Sequence, residues 1–421
     1  VILSATIMLM LSRVNAEKIV ETGEERDAAD EKSMIRNSVL KIINEDSSWT
    51  MTGNKVLDKI SKYLGADEVT VKDNTDTIDI TYAKSGRTYI LKKNTLKIRE
   101  EGKTTEGTYL PTGFTEVEGT TLEDGLTIQD RSGNQYVWVE VHKTTEVYPT
   151  AGLNITTFTD AEYTKIETDL HTYTSDYRDG TSFKDEYYSD ETTGLTSTQY
   201  TELKKKMLKS VYQNGGFYVG KYETGIENGA REAGSTEVEP TETPVIKRNV
   251  SPYCFVTCSQ AQKLASSMES GNYTTSLMFG VQWDLVLKYL ENKGTAQADL
   301  KDDSTSWGNY RNSLWNVENI NSKYSLDALN WTNGAYGKKS PNIVVLLSTG
   351  ASELFEKQGI YDLAGNVEEW TLEYSNITEC PSCGRGGNYF YSGIEDLVIR
   401  RNYYFVTDCN YGNFGFRVTL Y

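Results

Sequence analysis

The sequence predicts an α+β protein: a helical start, a small antiparallel sheet, and a larger C-terminal region of short strands, two helices and much ordered loop. Three observations predict it. Val56, Leu57, Ile60, Tyr63 and Leu64 recur at helical spacing. The runs EVTVKD, TIDITYA, RTYILKK and TLKIRE then alternate as strands do, with turn residues between them. Beyond residue 109, strand-like runs such as QYVWVEV and GFYVGKYETG are separated by helical ones.

The helical start covers residues 1–46. The apolar run Val1–Leu11 is too short to span a bilayer. It reads either as the end of an export signal, with Val14-Asn15-Ala16 as a small-residue exit, or as part of a longer apolar helix. The small α+β domain follows at 47–100, and the polar stretch EGKTTEGT at 101–108 reads as a linker. An apolar helix running into an amphipathic one and then a small sheet resembles the type IV pilin-like proteins. That resemblance implies attachment to a membrane or pilus through the N-terminal helix, on a bacterial cell surface or secreted.

From 109 to 421 the chain reads as one further domain. The stretch Thr144–Thr198, rich in Tyr, Asp, Ser and Thr, shows little apolar periodicity and reads as extended loop. TQYTELKKKMLKSVYQNGG reads as a helix with Leu203, Met207 and Val211 on one face, stopped by Gly215-Gly216.

Composition narrows the function. With 421 residues, hydrophobic content of 38% and charged content of 24%, the chain can bury two or three sizeable cores. A net charge of −17 argues against nucleic acid, whose phosphates need clustered Lys and Arg. His142 and His171 are the only histidines, which nearly excludes chemistry built on imidazole. The 29 tyrosines suit either a recognition surface or ordinary β-structure. Cys254, Cys258, Cys380, Cys383 and Cys409 all lie in the C-terminal part. The Cys380-x-x-Cys383 pair reads as a short disulfide, a redox pair, half of a zinc site, or ordinary free cysteine.

Several motifs now fall in a specific order. FYVGKYETG, TCSQAQKLASSM, the helix around Trp283, SWGNY (306–310), GIYDLAGNVEEWT (359–371), RGGNYF (385–390) and NFGFRV (413–418) occur in succession. This order resembles the formylglycine-generating-enzyme (sulfatase-modifying-factor) family over residues 109–421. The resemblance implies that family's C-type-lectin-like α+β fold. It also implies a structural calcium held by Asp362 and Glu369 with the carbonyls of Gly365 and Val367. Read without the family, the same carboxylates could equally bond turn amides with no ion present.

The enzymes of that family bind copper(I) through two cysteines, because that metal requires soft thiolates. Counted from Gly386-Gly387, those places hold Tyr391 and Asp396. A related iron-dependent subgroup needs three histidines, which two cannot supply. The chain therefore reads as non-catalytic, with no cofactor required.

The tail, residues 386–421, contains no Lys, Gln, Met, Trp or His, and Glu395 is its only Glu. Asparagine codons whose two adenines are randomised never give Lys, Glu, Gln, Met or Trp. The tail thus resembles the variable proteins of diversity-generating retroelements, which place an adenine-mutagenised stretch at the C-terminus of this same fold. The resemblance implies a solvent-facing set of variable contacts: Asn388, Phe390, Tyr391, Ile394, Asp396, Arg401, Asn402, Tyr403, Tyr404, Phe405, Asp408, Asn410, Tyr411 and Asn413. Tyr mixed with Asn, Asp and Ser is also the composition of antibody paratopes. The leading expectation is a surface protein whose variable tail binds an unknown protein or cell-surface ligand. The rivals are an invariant adhesive or structural module of the same fold, and a redox enzyme using Cys380 and Cys383.

Overall fold

The chain divides into two units, Val1–Leu110 and Pro111–Tyr421. The computed structural model describes residues 23–45, 50–178, 180–234, 238–408 and 411–421.

In the first unit, helix α1 (Gly23–Glu45) precedes α2 (Gly53–Ile60). The Thr52 side chain caps α2 by accepting from the Lys55 amide. Four strands follow as a meander: β1 (Val69–Asp73), β2 (Thr77–Tyr82), β3 (Thr88–Lys92) and β4 (Ile98–Glu100), in the spatial order β1-β2-β3-β4. Alternation along β2 buries Ile78, Ile80 and Tyr82, and these join Ile35, Val39, Ile42, Val56 and Ile60 in one core. Each such side chain, fully buried, is worth about 1.5–3 kcal/mol. Within residues 101–108, Thr104 and Thr108 are buried and their hydroxyls bond at 2.8 Å. Among the described residues no helix is long and apolar enough to cross a membrane. The apolar run Val1–Leu11, with its export or pilin reading, lies outside the described residues.

The second unit is also α+β. It begins with β5 (Thr115–Glu116), β6 (Thr127–Gln129) and β7 (Gln135–Glu140). Helix α3 (Asp160–Tyr173) then rises from the stretch expected to be loop. Its apolar signal is only Ile166 and Leu170, too sparse for periodicity to show, yet both are fully buried. After the short strand β8 (Phe183–Lys184) comes α4 (Ser197–Asn214). Thr196 and Gln199 form its capping box, and Gly215 at φ 72° ends it. That glycine pair releases β9 (Gly216–Gly220).

Helix α5 (Cys258–Ser266), β10 (Thr275–Leu277) and helix α6 (Gly280–Asn292) follow. Next come the hairpin β11 (Lys323–Ser325) and β12 (Trp331–Asn333), then β13 (Leu346–Leu347). The chain finishes with β14 (Glu368–Ser375), β15 (Ser382–Arg385), β16 (Arg401–Tyr404), β17 (Phe414–Gly415) and β18 (Val418–Leu420).

Two sheets matter for the site. One has the order β10-β18-β9-β7-β6-β5, so the last strand of the chain lies between β10 and β9. The other runs β16-β15-β14-β17, with β8 pairing the far end of β14. The tail therefore enters both sheets, and its non-paired stretches are held at each end by ladder hydrogen bonds.

Candidate functional site

Strand β14 sets the geometry, because successive side chains face opposite ways. Glu368 and Trp370 turn toward the loop and strand formed by residues 388–404. Glu369 and Glu373 turn the other way, each onto a buried arginine. Strand β15 pairs antiparallel with β14, and β16 pairs with β15 in the register Gly384↔Asn402 and Cys383↔Tyr403.

Six of the expected contact residues stand outward. Phe390, Tyr391, Ile394, Tyr403, Phe405 and Tyr411 are each 48–57% exposed. Between them the tail turns inward: Tyr389, Val398, Phe414 and Phe416 are buried. Phe414 stacks on Trp370 with ring centroids 4.8 Å apart, and Tyr404 packs edge-on against Phe414 at 4.6 Å. The outward aromatics are thus mounted on a packed aromatic layer.

Beneath them lies a polar layer. The Asn388 amide donates to Glu368 at 3.0 Å and to Asp396 at 3.4 Å. The Asn402 amide donates to the same two carboxylates at 3.0 and 2.7 Å. Tyr404 Oη donates to Glu368 at 2.9 Å. The amide oxygens are occupied elsewhere, that of Asn388 by the Phe390 N–H and that of Asn402 by Arg400. Neither amide is free to flip its donor end away. Among the described residues, neither Glu368 nor Asp396 makes an ion pair. Burial, with repulsion from Asp396, pushes the Glu368 carboxyl up to about 8. Burial likewise raises Asp396.

Arg401 belongs to a different interior network. Its Nε donates to Glu373 at 2.9 Å, its Nη2 to both oxygens of Asp284 at 2.6 and 2.7 Å, and its Nη1 to the Tyr177 carbonyl at 2.8 Å. Arg385 bridges the same two acids at 3.0 Å each. Arg178 reaches Asp284 at 3.1 Å and Asp185 at 3.8 Å. Asp185 in turn accepts from the Gly280 and Val281 amides at the start of α6, a favourable place for an anion. Arginines 178, 385 and 401 thus balance aspartates 185 and 284 and Glu373.

Asn388, Asp396 and Arg401 are therefore interior residues, which corrects the expectation that they face solvent. The physical reason is pairing: each satisfies a buried carboxylate or amide. Asn402 and Tyr404 are half-buried for the same reason. Asp408 is half-buried and accepts from the Phe405 amide at 3.1 Å. Asn413 is half-buried and lends its carbonyl to the Glu368 N–H at 2.8 Å. Asn410 and Cys409 lie outside the described residues.

The two carboxylates assigned to calcium already have protein partners. Both oxygens of Glu369 are taken by Arg417, at 2.6 and 3.1 Å. Asp362 uses one oxygen to accept from the Gly350 amide at 2.6 Å. Nearby, Glu223 accepts from the Val367 N–H at 3.0 Å, a bond that does not engage the Val367 carbonyl. Among the described residues no group of three or more His, Cys, Asp and Glu side chains is placed to hold a metal ion.

Among the described residues, Cys254, Cys258, Cys380 and Cys383 are free cysteines. Burial pushes Cys383 well above its ordinary value, with Glu373 adding to the rise. A thiol kept protonated is a poor nucleophile.

Sequence reading passed over three features of this region. Glu368 was hidden in a motif read for its other residues; its signal is a second acid directly beside Glu369 at the start of the strand. Asp284, Glu373 and Arg385 are charged residues with no local signal of pairing. The third is the β11–β12 turn, where Leu326 and Leu329 are exposed. Ala328 of that turn packs with Tyr389, Phe255 and Val367. A Cβ on Gly412 would overlap Ala328, so this turn adjoins the tail at Tyr411-Gly412.

No family model and no curated protein matches the chain. Among solved structures, Treponema denticola variable protein 1 is similar at 15% identity. That likeness covers 49% of this chain and 84% of that chain, with a TM-score of 0.26.

Proposed function

We propose that the second unit is a non-catalytic binding module of C-type-lectin-like architecture, related to the formylglycine-generating enzymes. Its tail presents a diversified Tyr-rich face to a protein or cell-surface ligand outside a bacterial cell. One observation carries the reading: the tail sorts its large side chains into two sets. Phe390, Tyr391, Ile394, Tyr403, Phe405 and Tyr411 project outward, while Tyr389, Val398, Phe414 and Phe416 form scaffold. An ordinary closing β-segment would have no reason to leave six large apolar side chains half-exposed in one tail. Rigid aromatics on a packed base lose little entropy when a ligand covers them.

The test is to sequence this tail and its flanking genes in sibling isolates. Substitutions concentrated at the six outward positions, with Tyr389, Phe414 and Phe416 fixed, are expected. An adenine-rich near-repeat of the tail beside a reverse transcriptase is expected as well. Outward positions as fixed as the scaffold would refute diversification. The invariant adhesive module of the same fold is then the surviving reading. It draws its support from the bonded layer of Asn388, Asp396, Asn402 and Tyr404 on Glu368, which tolerates few substitutions.

A further inference from the structure

We infer that the Arg417 guanidinium is the resident cation of the carboxylate cluster that the family resemblance assigns to calcium, so that the scaffold beneath the tail closes without a metal ion. The donors gathered around Arg417 are of the kind a hard cation takes, carboxylate oxygens plus backbone carbonyls. Nε and Nη2 hold both oxygens of Glu369. Nη1 donates to the Gly220 carbonyl at 2.8 Å, and Nη2 to the Tyr361 carbonyl at 2.8 Å. The side chain is fully buried.

These five hydrogen bonds tie three elements to the tail: β9 through Gly220, the turn before β14 through Tyr361, and β14 itself through Glu369. A metal ion in this place would do the same work. Arg417 does it with a charge carried by the chain, and it arrives only when the last strand docks. The remaining acids are committed too. Glu223 accepts from the Val367 amide and from Asn366 Nδ2 at 2.7 Å. Among the carboxylate oxygens of Glu223, Asp362 and Glu369, only Asp362 Oδ1 has no hydrogen-bond partner. A single free carboxylate oxygen leaves little negative charge uncommitted for calcium, which prefers several carboxylate oxygens among its roughly six to eight ligands.

The experiment is thermal unfolding of the full chain in EDTA, in millimolar calcium chloride and in magnesium chloride at the same ionic strength. The midpoint is expected to be the same in all three. A midpoint raised by several degrees in calcium but not in magnesium overturns the inference, because a ligand held only by the folded state must stabilise it. The charge is tested separately by comparing R417K with R417M. The lysine variant is expected to keep the higher midpoint, since it retains a cation at the cluster. Equal midpoints, or a higher one for R417M, show that Arg417 acts by shape rather than charge and overturn the assignment. Intact protein serves for the metal arm, so that arm does not depend on either variant folding.

Discussion

Replacing Arg401 by methionine tests whether this residue belongs to the scaffold or to the contact surface. The two assignments predict opposite outcomes. In the structure Arg401 gives four charge-assisted bonds, three to Asp284 and Glu373 and one to the Tyr177 carbonyl. Its network balances the guanidinia of residues 178, 385 and 401 against the carboxylates of 185, 284 and 373. Methionine fills similar space but leaves one buried negative charge uncompensated. Breaking a buried pair in this way costs about 3–5 kcal/mol. At roughly 2–4 °C per kcal/mol, the expected fall in melting temperature is on the order of 10 °C. Tyr403, two residues on and 52% exposed, is the internal control. Tyr403→Ser is expected to change stability by no more than about 0.5 kcal/mol. Circular dichroism melts and urea titrations of the three proteins measure both effects. If R401M unfolds with the unmutated protein, or if Y403S is the more damaging change, the division of the tail into buried and outward residues is wrong.

Other outcomes follow from the same geometry. Glu368 is expected to make stability fall as pH rises. Its unfolded value lies near 4.3, burial holds the folded value at about 8, and the added stability present below the lower value is lost as pH rises through the upper one. Urea midpoints at mildly acidic, neutral and mildly alkaline pH should decline in that order, and E368Q should flatten the decline; an unchanged slope in the variant would remove Glu368 as its source. Gly387→Ala should destabilise severely, since its φ is +69° and a Cβ there would overlap the Asp396 carbonyl; a melt within a degree or two of the parent contradicts the packing. Thiol labelling of the native protein, mapped by mass spectrometry, should spare the buried Cys254, Cys258 and Cys383; rapid labelling at Cys383 would contradict its burial and favour the redox reading.

Much of the fold was legible because it rests on local pattern. The meander β1–β4 shows in alternation, and α4 shows in its spacing and its closing glycines. Helix α3 did not show, because a helix that buries only Ile166, Asp169 and Leu170 carries too weak a stripe to read. The outward aromatics of the tail were legible as a composition. Which tail residues turn inward was not. Asn388, Asp396 and Arg401 look like surface residues by type, and their burial is decided by partners far away in sequence. Arg401 answers to Asp284, and Asn388 to Glu368.

That division bears on how a diversified tail could persist on one scaffold. Adenine randomisation permits Asn, Asp, Tyr and Arg alike, so the codon rule alone does not separate Tyr403 from Arg401. The structure does, by cost. A change at Tyr403 meets water, whereas a change at Arg401, Asn388 or Asn402 strands a buried carboxylate at roughly 1–3 kcal/mol or more. A chain with only about 5–15 kcal/mol in hand tolerates few of the second kind. Variants would then survive mainly where side chains already face outward, so the effective repertoire is narrower than the mutable one. On the proposed function, the six outward positions are where ligand choice would change without unfolding the module that presents it.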